Sequence, residues 1–376
     1  MSELSTFRKK LHSEPELSGK EKHTAEKITS ELKKTHPSKI ITNLGGTGVA
    51  AIFNGKSDGK TIMFRAELDA LPIQETNTFE HASKTKGVSH KCGHDGHATI
   101  LIGLAKKIVE NPIKKGKVIL LFQPAEENGA GAKAVLEDPK FSEIKPDFIF
   151  ALHNVPGFKK GEIVCKTGTF TPSVSSIAIE LQGKTAHAAE PENGFNPDGT
   201  ISELISSIKN LAIPDEKSDD FTVITTVYAN LGSKNYGISA GKGEVHFTVR
   251  CWTPDKLEAV KKEIVRLVGE IAKKHHLKPS TEWIYEFSAN KNDETAFSTI
   301  KKAALQNDFD FLEKATPFKW GEDFGLFTQH FKGAMFGLGA GEKTPALHNP
   351  DYDFPDELIP YGVKMFHAIF TNIGHD

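Results

Sequence analysis

The sequence predicts an α/β protein, a mainly parallel sheet flanked by helices, with a separate α+β module inserted into it. Three observations carry that prediction. The runs "KVILLFQ" (117–123) and "DFIFALH" (147–153) are too short for helices and almost unbroken in apolar content, as central strands covered on both faces are. Helical patterns alternate with strands, "HATILIGLAKKIVEN" (97–111) and "GAGAKAVLED" (129–138), the order that builds parallel sheets. Near residue 170 the alternation gives way to βαββαβ, the order of a ferredoxin-like two-layer module, and it resumes at about 288.

In chain order, Leu4, Leu11, Leu17, Ile28 and Leu32 space one or two surface helices, broken at "SEPELSG" by Pro15 and Gly19. "GVAAIF" (48–53) and "TIMFRA" (61–66) are short strands ahead of the two central ones. The inserted module reads as strand 173–183, helix 199–212, strands 221–231 and 242–252, helix 253–275 and strand 280–287. The strand "GAMFGLGA" (333–340) and a helix over 356–373 close the chain. The expected division is therefore residues 1–170 with 288–376 as one domain and 171–287 as the insert.

Lys and Arg number 47 against 49 Asp and Glu, a formal charge of −2, so no basic excess exists to neutralise phosphates and no nucleic-acid partner is expected. No apolar run approaches the ~18 residues of a membrane span, and "MSELSTFRKKLH" carries charges where a signal peptide has its apolar region. The expectation is a soluble, cytoplasmic protein with no membrane partner. Three cysteines, Cys92, Cys165 and Cys251, form no disulfide framework. Cys165 and Cys251 lie in or beside strands, as inert buried thiols do.

Cys92 has different company, because "SHKCGHDGH" packs it with three histidines just before a helix. In an open parallel sheet, active sites gather beyond the carboxyl ends of the strands. Residues of ligand type fall there: Glu67 and Asp69 after "TIMFRA", Glu126 and Glu127 in "PAEEN", His153 after "FIFAL", and His348 in the loop after "GAMFGLGA". A lone loop histidine is ordinarily a packing or surface residue. Five residues of ligand type, Cys92, His94, Glu127, His153 and His348, converging from four separate loops instead indicate a transition-metal site.

Five ligands exceed one tetrahedral site with an open position and suit two ions sharing a bridge. The expected arrangement puts the Cys92 thiolate between the ions, with His94 and His153 on one and Glu127 and His348 on the other. Glu126, free of metal, is placed as the general base that takes a proton from the attacking water and passes it to the leaving amine. Asp69 and Asp95 are expected behind the ligands, since a ligating imidazole usually donates its other N–H to a carboxylate or carbonyl. His97 is assigned equally to helix packing and to the metal.

The motifs together resemble a known family. "FRKKLHSEPELSGKE", "RAELDALPIQE", "HKCGHDGHATILIG", "LLFQPAEENGAGAKAVLED", "ALHNVPG", "GKTAHAAEPENGFNP", "GEDFGLF" and "LHNPDYDFPDE" are similar, in order and over nearly the whole chain, to signatures of the di-metal amidohydrolases. That branch includes hippurate hydrolase, N-acyl-amino-acid deacylases and auxin-conjugate hydrolases, within the aminoacylase and carboxypeptidase metallopeptidases. The resemblance implies two divalent ions, zinc, manganese or nickel, and cleavage of an amide between an acyl group and an amino acid. It gives the same five ligands and Glu126 as base. It further implies that the insert is a lid used for homodimerisation, that His187 bonds the substrate carbonyl or its oxyanion, and that Asn235 and Arg250 meet the substrate carboxylate. Glu67 stands where members commonly have Asp.

The expected activity is hydrolysis of N-acetyl or aryl-acyl amino acids, with three rivals. A dipeptidase or aminopeptidase would use the same metals but needs a pocket for a free ammonium. A thiol amidase would use Cys92 as nucleophile and His94 as base. A non-catalytic metal-binding protein would have no use for Glu126.

Overall fold

The computed structural model describes residues 2–374. The elements in chain order begin with α1 (Glu3–Ser13), α2 (Lys22–Lys33), β1 (Lys39–Leu44), β2 (Gly48–Asn54), β3 (Ser57–Glu67), α3 (His94–Glu110) and β4 (Lys115–Gln123). Then follow α4 (Gly131–Glu137), β5 (Phe148–Pro156), β6 (Ile163–Cys165), β7 (Gly168–Thr171), β8 (Ser173–Gln182), β9 (Ala186–His187), α5 (Asp198–Lys209) and β10 (Thr222–Leu231). The chain continues through β11 (Ile238–Ser239), β12 (Lys242–Cys251), α6 (Pro254–Lys274), β13 (Lys278–Phe287) and β14 (Asn290–Asn292). It ends with α7 (Glu294–Gln306), β15 (Phe311–Glu313), α8 (Gly325–His330), β16 (Lys332–Gly341) and α9 (Ile359–Gly374). No helix among the described residues is long and apolar enough to cross a membrane.

Two compact units result: Met1–Phe170 with Asn290–Ala315 and Glu322–Asp376, and Thr171–Ala289 with Thr316–Gly321. The first is built on an eight-stranded sheet in the order β1-β2-β4-β3-β5-β16-β6-β15. Its central strands β4, β3, β5 and β16 run parallel, while β1, β2 and β4 pair antiparallel at one margin and β6 opposes β16 near the other. Val118 to Phe122 of β4 are all buried, which explains why the run lacks the alternation of a half-exposed strand. Helix α3 is just as enclosed: Ile100, Leu101, Ile102 and Leu104 are fully covered in the core that α1, α9 and the sheet share.

The second unit carries a four-stranded antiparallel sheet, β10-β12-β8-β13, with α5 and α6 on one face. Leu257, Val260, Ile264, Val268 and Ile271 recur at three- and four-residue spacing and bury one stripe of α6 against that sheet. Thr253 caps the helix by accepting the Lys256 N–H, and Pro254 occupies the first turn, where its missing donor costs nothing.

Several elements depart from the sequence reading, which has no counterpart for β7, β9, β11, β14, α7, β15 or α8. Strand β1 carries no such expectation, because only Ile41 and Leu44 of its six residues are buried and no alternation marks it. Helix α3 begins at His94 rather than residue 97, so His94 stands with His97 in its first turn instead of in the preceding loop.

Candidate metal centre

The parallel centre of the sheet places the carboxyl ends of β3, β4, β5 and β16 along one edge, and each delivers functional side chains within the first unit. Gly93 sets the entry to α3. Its φ of 96° is left-handed, and a Cβ there would lie 2.3 Å from Oδ1 of Asn154, so only glycine passes between Cys92 and His94. Beyond β4 the chain reverses through Ala125, a non-glycine residue at φ 50°, a conformation that costs an L-residue roughly 1–2 kcal/mol. The turn closes with Gly131 N–H donating to Ala125 O at 2.9 Å and Gly129 N–H to Glu126 O at 2.8 Å. Here too a side chain is excluded: a Cβ on Gly131 would sit 1.7 Å from the Pro124 carbonyl oxygen.

Two triads of ligand atoms share Cys92. In each of Cys92–His94–His153 and Cys92–Glu127–His348, the candidate atoms all lie within 4.8 Å of one another. Cys92 Sγ is 3.4 Å from His153 Nε2, and Glu127 is 3.8 Å from the Nε2 of both His94 and His348. His153 donates Nδ1–H to the Asn154 carbonyl at 2.8 Å, and His94 donates Nδ1–H to the Asp69 carbonyl at 3.0 Å. A carbonyl only accepts, so Nδ1 carries a proton in both rings and Nε2 is the atom left to face the site. His348, at φ 66°, is held by its own N–H on the Lys91 carbonyl at 2.8 Å.

The donor set fits a pair of cations. Nε2 of His94 and Oε1 of Glu127 are buried with no hydrogen-bond partner, and both belong to the triads. Burial, then Glu127 and Glu126, pushes the Cys92 thiol well up. Burial also lifts Glu127 to about 7 and raises Glu126 strongly, with Glu322 and Glu127 adding repulsion. Burial opposes protonation of His94, but Asp69 and Glu67 outweigh it and lift the ring to about 10. A thiol and carboxylates enclosed this way are ionised only beside positive charge, which is what divalent ions supply.

Glu126 lies beside the triads, its Oε2 3.9 Å from His94 Nε2 and its Oε1 accepting the Asp323 N–H at 3.3 Å. Asp69 bonds one residue of each triad. Besides its carbonyl bond to His94, its Oδ2 accepts the Glu127 N–H at 3.0 Å and the Ser18 hydroxyl at 2.7 Å.

Asp95 requires a correction. Its carboxylate accepts from His12 Nδ1 at 2.8 Å and Arg8 at 3.3 Å, not from a ligating imidazole. One residue past His94 on a helix, it is turned about 100° away. It belongs to a second buried cluster in which Arg8 also bonds Asp353 and Asp356, and Glu75 bonds His12 and Lys91.

His97 packs between two candidate ligand rings, with centroids 5.7 Å from His94 and 4.8 Å from His153. Its nitrogens are taken by Glu67 at 2.7 Å and Asn154 at 2.5 Å, and Asn154 in turn donates to the Tyr352 hydroxyl at 2.6 Å. Glu67 is paired with buried Arg65, whose guanidinium also donates to Gln123, Glu322 and Asp323. With more carboxylates than cations there, burial and Glu322 lift Asp323 to about 8 despite Arg65. Sequence singled out none of Arg65, Asn154, Tyr352, Glu322 and Asp323 for these roles. The readable signal was a charged residue inside the otherwise apolar "TIMFRAE".

His187, Asn235 and Arg250 lie in the second unit. His187, in β9, is exposed, pairs with Ile238, and accepts the Ala189 N–H on Nδ1 at 3.1 Å. Asn235 is exposed in the adjoining loop and accepts the Gly237 N–H at 3.2 Å. Arg250, half-buried on β12, donates to the Lys319 carbonyl at 3.1 Å.

Known proteins share both sequence and fold. The profile of peptidase family M20/M25/M40 matches residues 63–372. The chain is 36% identical over 358 residues to an N-acetyl-L-cysteine deacetylase of Bacillus subtilis (strain 168), covering 95% of this chain and 85% of that protein. It is 31% identical over 375 residues to an N-acetyldiaminopimelate deacetylase of Lactobacillus acidophilus, covering 96% and 95%. A dinuclear metal-binding peptidase of the M20 family from Bacillus subtilis superposes with a TM-score of 0.82 at 28% identity, over 99% of this chain and 98% of that one.

Proposed function

The chain belongs to the peptidase family M20/M25/M40, and from that premise we propose that it hydrolyses N-acyl amino acids, preferentially N-acetyl or small aryl-acyl ones, to a carboxylic acid and the free amino acid. One observation supports the reading most: two triads share Cys92, and Glu126, which clusters with His94 and Glu127, stands beside both. Cys92, His94 and His153 are assigned to one divalent ion, and Cys92, Glu127 and His348 to the other, with zinc, manganese or nickel as the candidates. Such ions supply carbonyl polarisation and a more acidic attacking water. Glu126 takes the proton from that water as oxygen bonds to the carbonyl carbon, then delivers it to the amide nitrogen as the C–N bond breaks.

The second unit is assigned the lid. His187 would donate to the developing oxyanion, and Arg250 and Asn235 would meet the substrate carboxylate. Homodimerisation would use edge strand β10, which exposes Val227, Tyr228 and Leu231. The cytoplasm is the proposed location. Resemblance to deacetylases favours acyl substrates over dipeptides, and the five-ligand set disfavours Cys92 as nucleophile.

Metal analysis coupled to a screen of paired N-acetyl amino acids and dipeptides tests the reading. Chelation should abolish turnover and divalent metal should restore it. Full activity after chelation, or loss only on alkylation with iodoacetamide, refutes the metal assignment; faster turnover of dipeptides refutes the substrate class.

A further inference from the structure

Glu21 precedes α2 within "PELSGKE" and is completely buried, 104 residues before Ala125 in sequence. Its Oε1 accepts the Ala125 N–H at 2.8 Å and the Gly19 N–H at 2.7 Å, while Oε2 accepts the Thr47 hydroxyl at 2.6 Å. Ala125 is the left-handed residue that reverses the chain immediately before Glu126 and Glu127. On the far side of Glu126, the Glu127 N–H is held by Asp69, which the Ser18 hydroxyl braces. The amides flanking Glu126 are thus both bonded to buried carboxylates, and residues 18 and 21 of one short segment serve both.

We propose that Glu21 is a positioning residue for the Glu126–Glu127 pair, holding Ala125 in its left-handed conformation and so fixing where the proposed base and the proposed ligand point. It touches neither side chain. Alanine disfavours this φ, and without an acceptor the Ala125 N–H would be buried unpaired, so the turn would relax to satisfy it and both carboxylates would move. Glycine adopts the same φ without steric cost, so glycine at 125 would remove the strain that opposes the turn, while its N–H would still lack the Glu21 acceptor. Glutamine at 21 retains an amide oxygen able to accept both N–H groups and an NH2 that can donate to Thr47. The inference rests on Glu126 and Glu127 having the roles assigned above.

The test compares wild type, Glu21→Ala, Glu21→Gln and the double variant Glu21→Ala with Ala125→Gly. Manganese binding to the chelator-stripped protein, melting temperature, and kcat and KM for an N-acetyl amino acid are measured for each. Glu21→Ala should weaken manganese binding and lower kcat by about tenfold or more each, the scale of losses seen when support behind metal ligands is removed. Glu21→Gln should stay within roughly threefold of wild type, and the double variant should recover part of the loss, the part due to the strained φ. A folded Glu21→Ala protein with wild-type metal affinity and turnover overturns the proposal. So does a double variant no better than the single one. If Glu21→Ala does not fold, Glu21→Gln decides alone: it must bind manganese near the wild-type level, and failure to do so overturns the proposal. Glu127→Ala separates this from the underlying reading, because unchanged manganese binding there refutes the ligand assignment itself.

Discussion

Replacing His12 by glutamine should flatten the dependence of stability on pH between about 6.5 and 9. His12 is fully buried on α1, bonded through Nδ1 to Asp95 at 2.8 Å and through Nε2 to Glu75 at 3.2 Å. Asp353 lies 3.6 Å from its ring, Arg8 bonds the same Asp95, and the rings of Phe79, His81 and His90 surround it. Burial alone would lower its pKa, but Asp95 and Glu75 outweigh burial and lift it from 6.5 to about 9. A group that binds its proton more tightly when folded contributes stability that is fully present below the unfolded pKa and is lost as pH rises through the folded one. A rise of that size corresponds to about 3 kcal/mol. Spread over a chain of 376 residues unfolding together, this is roughly 4 °C in Tm. Tm is measured for wild type and His12→Gln at pH 6, 7.5 and 9.5. The advantage of wild type should shrink by about that amount from the lowest pH to the highest, because groups common to both proteins, such as Asp323, cancel. A difference that stays constant or grows with pH would refute the charge assignment of His12.

Glu126→Gln should retain its metal content and lose about 10²–10⁴-fold in kcat, read by metal analysis beside steady-state kinetics. Arg65→Met should lower stability by about 3–5 kcal/mol, seen as a lower Tm, because Glu67, Glu322 and Asp323 would be left buried without their cation. Gly93→Ala combines a left-handed φ of 96° with a 2.3 Å approach to Asn154, and should weaken metal binding in a direct titration even where the protein folds. Stripping the metals should lower Tm reversibly, since ions at a hundred times their Kd stabilise the folded state by about 2.7 kcal/mol.

Much of the architecture is legible locally. The buried runs in β4 and β5 can satisfy their surroundings only as doubly covered strands, and the stripe of Leu257, Val260, Ile264, Val268 and Ile271 dictates which face of α6 is covered. The residue types suited to metal also stand out, because the ends of parallel strands are where side chains from distant segments meet. By contrast β1 passes unnoticed, as a margin strand with two buried residues needs no apolar pattern.

The sequence by itself determined the α/β class with its mainly parallel sheet and the chemical inventory, thiol, imidazoles and paired acids at strand ends. Only the tertiary structure decided which neighbours complete the site. Asp95 adjoins His94 in the chain, yet helical rotation sends it to His12 and Arg8, while Glu322, 257 residues from Arg65, closes onto the same guanidinium. Nothing local marks Ala125 as left-handed or pairs it with Glu21. Periodicity records which face of an element is buried, but the partners of a buried charge are set by packing between segments, and that information lies in no single stretch of the chain.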